Sequence, residues 1–186
     1  MTKSIRDILS YALEKTFVDL PAEVERMPLK LWDESVFRYF LARNVLDQDR
    51  SLHIEREWRK VDLAIASGTE ITLVEIKFWQ LGNLSETTSH ALTYAKKGGQ
   101  GPQNFREYEA VIDKLKKHLT EQALGCIVGA FVVLVYADPI AATSKATFGK
   151  YYDAVEANWK VNVSADGRSL TCKLIEIQLP KSSPNE

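Results

Sequence analysis

Two acidic residues and one lysine stand at a spacing that suits a metal site. Asp62 opens an apolar segment, and Glu75 and Lys77 lie in a later segment that is rich in β-branched residues. Ser67-Gly68-Thr69 is a turn signal between the two segments. If both segments are antiparallel strands, the start of the first lies opposite the end of the second, which brings Asp62 close to Glu75 and Lys77.

The later segment also separates its charged residues from its apolar ones. Side chains alternate along a strand, so Glu75 and Lys77 share one face. Val74, Ile76 and Phe78 share the opposite face. We therefore expect this strand to have one charged face and one apolar face.

Neighbouring carboxylates favour a bound cation. Two of them repel each other by about 4 kcal/mol at the effective dielectric of a protein surface. Mg²⁺ reverses the sign of that interaction, prefers oxygen ligands and typically takes one or two carboxylates from the protein. We predict that Asp62, Glu75 and the backbone carbonyl of Ile76 bind Mg²⁺, or Mn²⁺ in its place. Lys77 cannot ligate a metal while protonated, but its ammonium can hold an attacking water or offset charge on a phosphate.

A fourth acid lies on a predicted helix upstream. Glu34 shares a helix face with Leu41 and Val45, at the edge of an apolar stripe. A carboxylate in this position needs a partner. Glu34 either faces the sheet as an outer metal ligand through water, or pairs with Arg38 one turn further on. Asp33 competes for the role of ligand unless it caps the helix.

The spacing of apolar residues predicts the elements that position these side chains. Helical periodicity predicts helices over 4–18, 31–46, 105–119 and 144–159, and alternation or compact apolar runs predict strands over 53–58, 61–66, 71–78, 126–136 and 170–179. The first three strands are expected to form an antiparallel meander. The order from the second helix onward is then helix, three strands, helix, strand.

Length and composition indicate a single domain. The chain has 186 residues, of which 45% are hydrophobic, and we expect one domain over 1–180 followed by a polar tail over 181–186. The N-terminus does not resemble a signal peptide, and no apolar stretch approaches the roughly 18 residues of a membrane span. We expect a cytoplasmic protein with no membrane contact. Cys126 and Cys172 lie in apolar runs and are expected to be reduced core residues.

The motif resembles that of a nuclease superfamily. Asp62 followed by Glu75-Ile76-Lys77, between a helix with Glu34 and a later helix and strand, resembles the PD-(D/E)xK superfamily, which includes restriction endonucleases and Holliday junction resolvases. The resemblance covers 31–136. It implies an α/β fold with a restriction endonuclease-like αβββαβ core, in which helices flank a central mixed sheet. An extra N-terminal helix and a C-terminal helix and strand would be added to that core.

The resemblance also implies roles for the motif residues. Asp62 and Glu75 would bind Mg²⁺, Lys77 would serve the hydrolytic water, and Glu34 would be the acid of the helix. The proline that often precedes the first acid is replaced here by Val61.

The helix after the third strand departs from the family in a second way, because it lacks the glutamine that many members carry. Gln100 and Gln103 precede the predicted helix, and Asp113-Lys114 lies within it. Which of these residues reaches the site stays open.

Several side chains are candidates for contact with nucleic acid. Arg56, Arg59 and Lys60 lie just before the first acid, where they can neutralise phosphates, unless Glu55 and Glu57 already pair with them.

A second set of candidates lies in a Gly-, Ser- and Thr-rich segment over 79–104. Lys97, Gln100 and Gln103 stand there beside three glycines, so the segment either closes on a nucleic acid backbone or serves as a plain connector.

These features lead to two hypotheses. The first is a metal-dependent nuclease that hydrolyses phosphodiester bonds of DNA in a restriction, repair or phage-defence role and can act as a homodimer, as nucleases of this kind often do. The second is a catalytically inactive module of the same fold, which binds a partner protein, as an immunity protein does, or nucleic acid. The near balance of 24 Lys and Arg against 25 Asp and Glu motivates the second hypothesis, since many DNA enzymes of this size are more basic.

Overall fold

A mixed sheet of six strands organises the chain. The computed structural model describes residues 4–27, 29–80, 102–121, 126–137, 151–165 and 168–179. The strands are β1 (His53–Arg56), β2 (Leu63–Ser67), β3 (Glu70–Gln80), β4 (Ile127–Ala137), β5 (Trp159–Ala165) and β6 (Arg168–Glu176), in the order β1-β2-β3-β4-β6-β5. β3 and β4 are parallel, and the other neighbouring pairs are antiparallel.

Helices cover both faces of the sheet. The helices are α1 (Ile5–Arg26), α2 (Glu34–Gln48) and α3 (Pro102–Thr120), with short 3₁₀ turns at Leu29–Leu31 and Trp58–Lys60 and a helical stretch over 151–153. Apolar side chains of α1 and α2 pack with one face of the sheet and form the first core. Those of α3 pack with the other face and form the second core. The protein is therefore of mixed α/β class. The order predicted from α2 to β4 is confirmed, as is the antiparallel meander of β1, β2 and β3.

The face of β3 that carries Glu75 and Lys77 is mostly apolar. Leu73 and Trp79 are buried on it, and they form a second core with α3. The prediction of one charged face is therefore wrong for most of its length, because α3 covers that face. The charges of Glu75 and Lys77 lie within an apolar surface, and they need partners there.

The first helix is longer than predicted. The apolar periodicity predicted an end near Val18, before Pro21, but α1 continues to Arg26. A proline inside a helix removes one hydrogen bond and costs about 3 kcal/mol. Leu20 and Val24 are buried in the first core, so their packing offsets that cost.

The predicted helix over 144–159 is also wrong at its end. Residues 151–153 are helical, but Trp159 begins β5, which pairs with β6. Trp159, Val161 and Val163 pack against the first core and alternate with Lys160 and other polar residues. This period of two is the signature of a strand. Residues 144–150 and the polar tail from 181 lie outside the described residues.

Two smaller predictions concern cysteines and membrane contact. Cys172 is a buried core residue as predicted, whereas Cys126 is half-buried, and both are free thiols. Within the described part of the chain, none of the helices combines the length and the apolar character needed to cross a membrane.

Replacement of Leu134 tests how much the second core contributes to the free energy of unfolding. It is fully buried on β4 beneath α3, so Leu134→Ala is expected to lower the free energy of unfolding by about 3 kcal/mol. Val128 lies on the same strand with 53% of its surface exposed, and Val128→Ala should change stability by less than about 1 kcal/mol. Urea unfolding measures both variants. Equal losses would contradict the assignment of Leu134 to a tightly packed core.

Candidate functional site

The candidate site forms where β3 extends beyond β2. Pairing between these strands ends at Leu63 and Val74, so the later residues of β3 have no strand partner on that edge. The carboxylates of Asp62 and Glu34 take the place of the missing strand partner. The Asp62 carboxylate accepts a 2.8 Å hydrogen bond from the Ile76 N–H, and the Glu34 carboxylate accepts one of 3.3 Å from the Phe78 N–H.

Glu75 lies on β3 next to Ile76, and its side chain is buried beneath α3. Only 3% of its surface is exposed, and its carboxylate contacts the ammonium of Lys114. The pKa of Glu75 is raised from 4.5 to about 7, first because burial disfavours the charged form and second because Asp62 lies within hydrogen-bond reach. Lys114 opposes this rise. The two acids thus meet as predicted from their spacing.

Lys77 pairs with the acid at the start of α2. Its ammonium lies 3.4 Å from the Glu34 carboxylate, and 21% of the lysine side chain is exposed. Asp33 caps α2, because its carboxylate accepts hydrogen bonds from the N–H groups of Ser35 and Val36. Glu34 therefore contacts the site through Lys77, and Asp33 has the capping role that was its predicted alternative.

Arg38 does not pair with Glu34, which was one of the two predicted alternatives. Its guanidinium lies 3.2 Å from the Asp62 carboxylate and 3.5 Å from that of Glu57. The arginine side chain is only 12% exposed. Sequence spacing put Arg38 one turn after Glu34, but it could not show that the side chain crosses to the sheet.

Lys114 is the residue of α3 that reaches the site. Its ammonium contacts Glu75 and also donates a 2.8 Å hydrogen bond to the carbonyl oxygen of Lys60. Asp113 next to it is exposed. The sequence left both residues open, and the burial of Leu115 in the second core is the feature that decides between them.

Charges at the site are balanced. Three acids, Glu34, Asp62 and Glu75, contact three cations, which are Lys77, Arg38 and Lys114 respectively. Each of these six side chains is at least partly removed from solvent. The protein therefore neutralises its own acids at this site with neighbouring basic residues.

The site offers oxygen atoms of the kind that a hard divalent cation prefers. Among the described residues, no group of three or more His, Cys, Asp or Glu side chains is arranged to hold a metal ion. Asp62, Glu75 and the Ile76 carbonyl are the oxygen donors that could hold such a cation, and this carbonyl leaves β3 on the same edge as the N–H group that donates to Asp62. Mg²⁺ commonly takes one or two carboxylates and keeps several waters. Burial is the main cause of the raised pKa of Glu75, and the nearby Asp62 adds to it; a cation at this position would favour the charged form of both acids.

An open cavity of about 240 Å³ lies beside Lys77. Glu34, Lys77 and the first turns of α3, including Glu107, line it. Trp79 also lines the cavity, but it is only 2% exposed and packs edge-on against Tyr108. Its ring therefore belongs to the core, and Lys77 is the basic group that faces the cavity.

The basic residues predicted to contact nucleic acid lie in the loop before Asp62 or next to it. Arg56, Arg59 and Lys60 are exposed. Glu55 pairs with His53 and Glu57 with Arg38, so the alternative in which these glutamates neutralise the three basic residues does not hold.

The second set of predicted contacts is only partly described. Gln103 lies in the first turn of α3, where its exposed side chain bonds to Glu107. Lys97 and Gln100 lie outside the described residues. Their predicted contact with nucleic acid stays a prediction.

Comparison with known proteins gives no match: no protein family model, curated protein or solved structure is similar to this chain. Any function must therefore be argued from the motif residues and their geometry.

The ionisation of Glu75 predicts a pH-dependent stability. Between pH 4.5 and about 7 the unfolded carboxyl loses its proton while the folded one keeps it, so the free energy of unfolding falls as pH rises. This contribution is fully present below pH 4.5. We expect the wild-type protein to lose roughly 2 kcal/mol across this window relative to Glu75→Gln, whose amide does not titrate. Urea unfolding at several pH values measures the difference, and parallel curves for the two proteins would contradict it.

Proposed function

We propose that this protein is a metal-dependent nuclease of the PD-(D/E)xK type, which hydrolyses phosphodiester bonds of DNA with Mg²⁺ or Mn²⁺ as cofactor. The observation that carries the proposal is the meeting of Asp62 and Glu75 where the pairing of β3 with β2 ends, with Lys77 two residues further along the same face. The family resemblance implies a restriction, repair or phage-defence role and pairing as a homodimer to cut both strands, and we propose that the protein acts in the cytoplasm.

The architecture supports this proposal at the level of topology. A helix, an antiparallel meander, a second helix and a strand parallel to β3 follow one another from α2 to β4. The restriction endonuclease-like core that the motif implies has this order of elements. Since a fold alone does not fix an activity, the chemistry of the site carries the larger part of the proposal.

The residues of the site suit hydrolysis of a phosphodiester. Asp62, Glu75 and the Ile76 carbonyl would hold the metal, which supplies a Lewis acid for the phosphate and lowers the pKa of a bound water. Lys77 faces the cavity and can hold the attacking water or offset negative charge on the phosphate. Glu34 keeps the Lys77 ammonium at this position through a contact of 3.4 Å.

The surface near the site supports a nucleic acid as substrate. The net charge of the chain is −1, so attraction to phosphates must be local. Arg56, Arg59 and Lys60 provide three exposed cations within seven residues of Asp62 along the chain. Contacts of this kind position a nucleic acid backbone without reading its sequence.

Replacement of Lys77 tests the catalytic proposal. Wild-type protein with Mg²⁺ is expected to nick or degrade plasmid DNA, and Lys77→Ala should lower the rate by about 10²-fold or more. Lys116→Ala is the matched control, because Lys116 is an exposed lysine of α3 outside the site. Gel electrophoresis over time measures the rates. Equal activity of wild type and Lys77→Ala would assign the cleavage to a contaminant and remove the support for this proposal.

A second candidate function rests on the ion pairs of the two acids. Arg38 and Lys114 already neutralise Asp62 and Glu75, as in a site that has no need of a metal. The protein would then be a catalytically inactive nuclease-fold module that binds a partner protein, such as a toxin, or nucleic acid. The near-neutral net charge is compatible with a protein partner.

Calorimetry with Mn²⁺ separates the two functions. A nuclease is expected to bind the ion at the candidate site, and Asp62→Ala should weaken that binding at least about tenfold because it removes one of two carboxylate ligands. Asp47→Ala removes an exposed acid of α2 and serves as the control. No heat of binding in the wild type would favour the inactive module, whereas heat lost only in Asp62→Ala would exclude it.

A further inference from the structure

The loop of residues 57–60 joins β1 to β2 and has a strained backbone. Glu57, Arg59 and Lys60 have φ angles of 55°, 52° and 64°, in the left-handed region that residues with a side chain rarely adopt. Such conformations cost free energy and persist only where surrounding contacts maintain them. The loop therefore depends on anchors from the rest of the protein.

Two cations anchor this loop, one from each side of the sheet. Arg38 of α2 lies 3.5 Å from the carboxylate of Glu57, at the start of the loop. Lys114 of α3 donates its 2.8 Å hydrogen bond to the carbonyl oxygen of Lys60, at the end of the loop. Both anchoring groups belong to helices that are fixed in the two cores.

The same two cations neutralise the acids of the candidate metal site. Arg38 lies 3.2 Å from Asp62, and Lys114 contacts Glu75. Each cation therefore connects one acid to the loop. Because one side chain makes both contacts, a change in the charge at the acids must also affect the anchoring of the loop.

We propose that Arg38 and Lys114 are positioning residues that balance the charge of the two acids while no metal is bound. Binding of a divalent cation displaces them and releases the loop. This inference rests on the proposed metal site. A divalent cation between Asp62 and Glu75 repels the guanidinium and the ammonium, and it neutralises the negative charge that attracts them. The contacts that anchor the loop weaken as the metal binds.

Release of the loop affects the residues that would contact the nucleic acid substrate. Arg59 and Lys60 are exposed on it and lie just before Asp62 in the chain. Once freed from its left-handed conformation, the loop can adjust both cations to a phosphate backbone beside the site. Metal binding would then prepare the surface for nucleic acid as well as the site for hydrolysis.

Replacement of Lys114 tests this exchange of cations directly. Lys114→Met removes the charge and keeps most of the aliphatic chain, so Mg²⁺ no longer competes with an ammonium at Glu75. We expect Mg²⁺ to bind about tenfold more tightly than to the wild type in calorimetry at mildly alkaline pH. Lys114→Arg should restore the wild-type affinity. Lys116→Met removes an exposed lysine from the same helix and should leave the affinity unchanged.

The fluorescence of Trp58 reports on the conformation of the loop. The guanidinium of Arg59 lies 4.9 Å from the centre of its ring, inside the loop. Mg²⁺ should change the tryptophan fluorescence of the wild-type protein over the concentration range of calorimetric binding. Lys114→Met should bind Mg²⁺ with a much smaller change, because one anchor is already lost. Trp58→Phe should bind Mg²⁺ normally and show no change, which assigns the signal to this ring.

The possible outcomes separate this inference from the proposed function. Mg²⁺ binding to Lys114→Met that is no tighter than to the wild type, or a fluorescence change of equal size, overturns the inference and leaves the metal site intact. Absence of Mg²⁺ binding in every protein overturns the metal site and the inference together. If Lys114→Met does not fold, Arg38→Met makes the same test through Asp62, and unchanged Mg²⁺ affinity there overturns the inference.

Discussion

The unequal lengths of β2 and β3 are the constraint on which the site depends. Beyond Val74 the edge of β3 has backbone N–H groups with no strand to accept their hydrogen bonds, and buried donors of this kind need acceptors. Carboxylates of Asp62 and Glu34 fill that need. The requirement of the backbone therefore brings together acids that would otherwise repel one another, and one of them, Glu34, contacts Lys77.

Much of this arrangement could be predicted from the sequence because it is local. Alternation of apolar residues and a turn signal determine the pairing of β2 with β3, and the pairing brings Asp62 to Glu75. Contacts between distant elements could not be predicted in this way. Whether Asp113 or Lys114 reaches the site depends on which side of α3 is buried, and that depends on the packing of the whole helix. β5 was missed because only five residues separate its short alternation from the helical stretch over 151–153.

Electrostatic balance explains how such a site is compatible with a stable fold. A buried carboxylate without a partner would destabilise the protein by several kcal/mol. Arg38 and Lys114 prevent this at Asp62 and Glu75, and they do so without any ligand. The same contacts would reduce the attraction of the proposed site for a metal. Stability of the free protein and affinity for a cation are thus opposing demands on the same two side chains.

The two cations also come from different layers of the molecule. Arg38 belongs to the layer of α1 and α2, and Lys114 to the layer of α3 on the other side of the sheet. A chain that has completed only one layer during folding lacks one of them, and it leaves one acid exposed or uncompensated. The charged centre can therefore assemble only in the finished molecule.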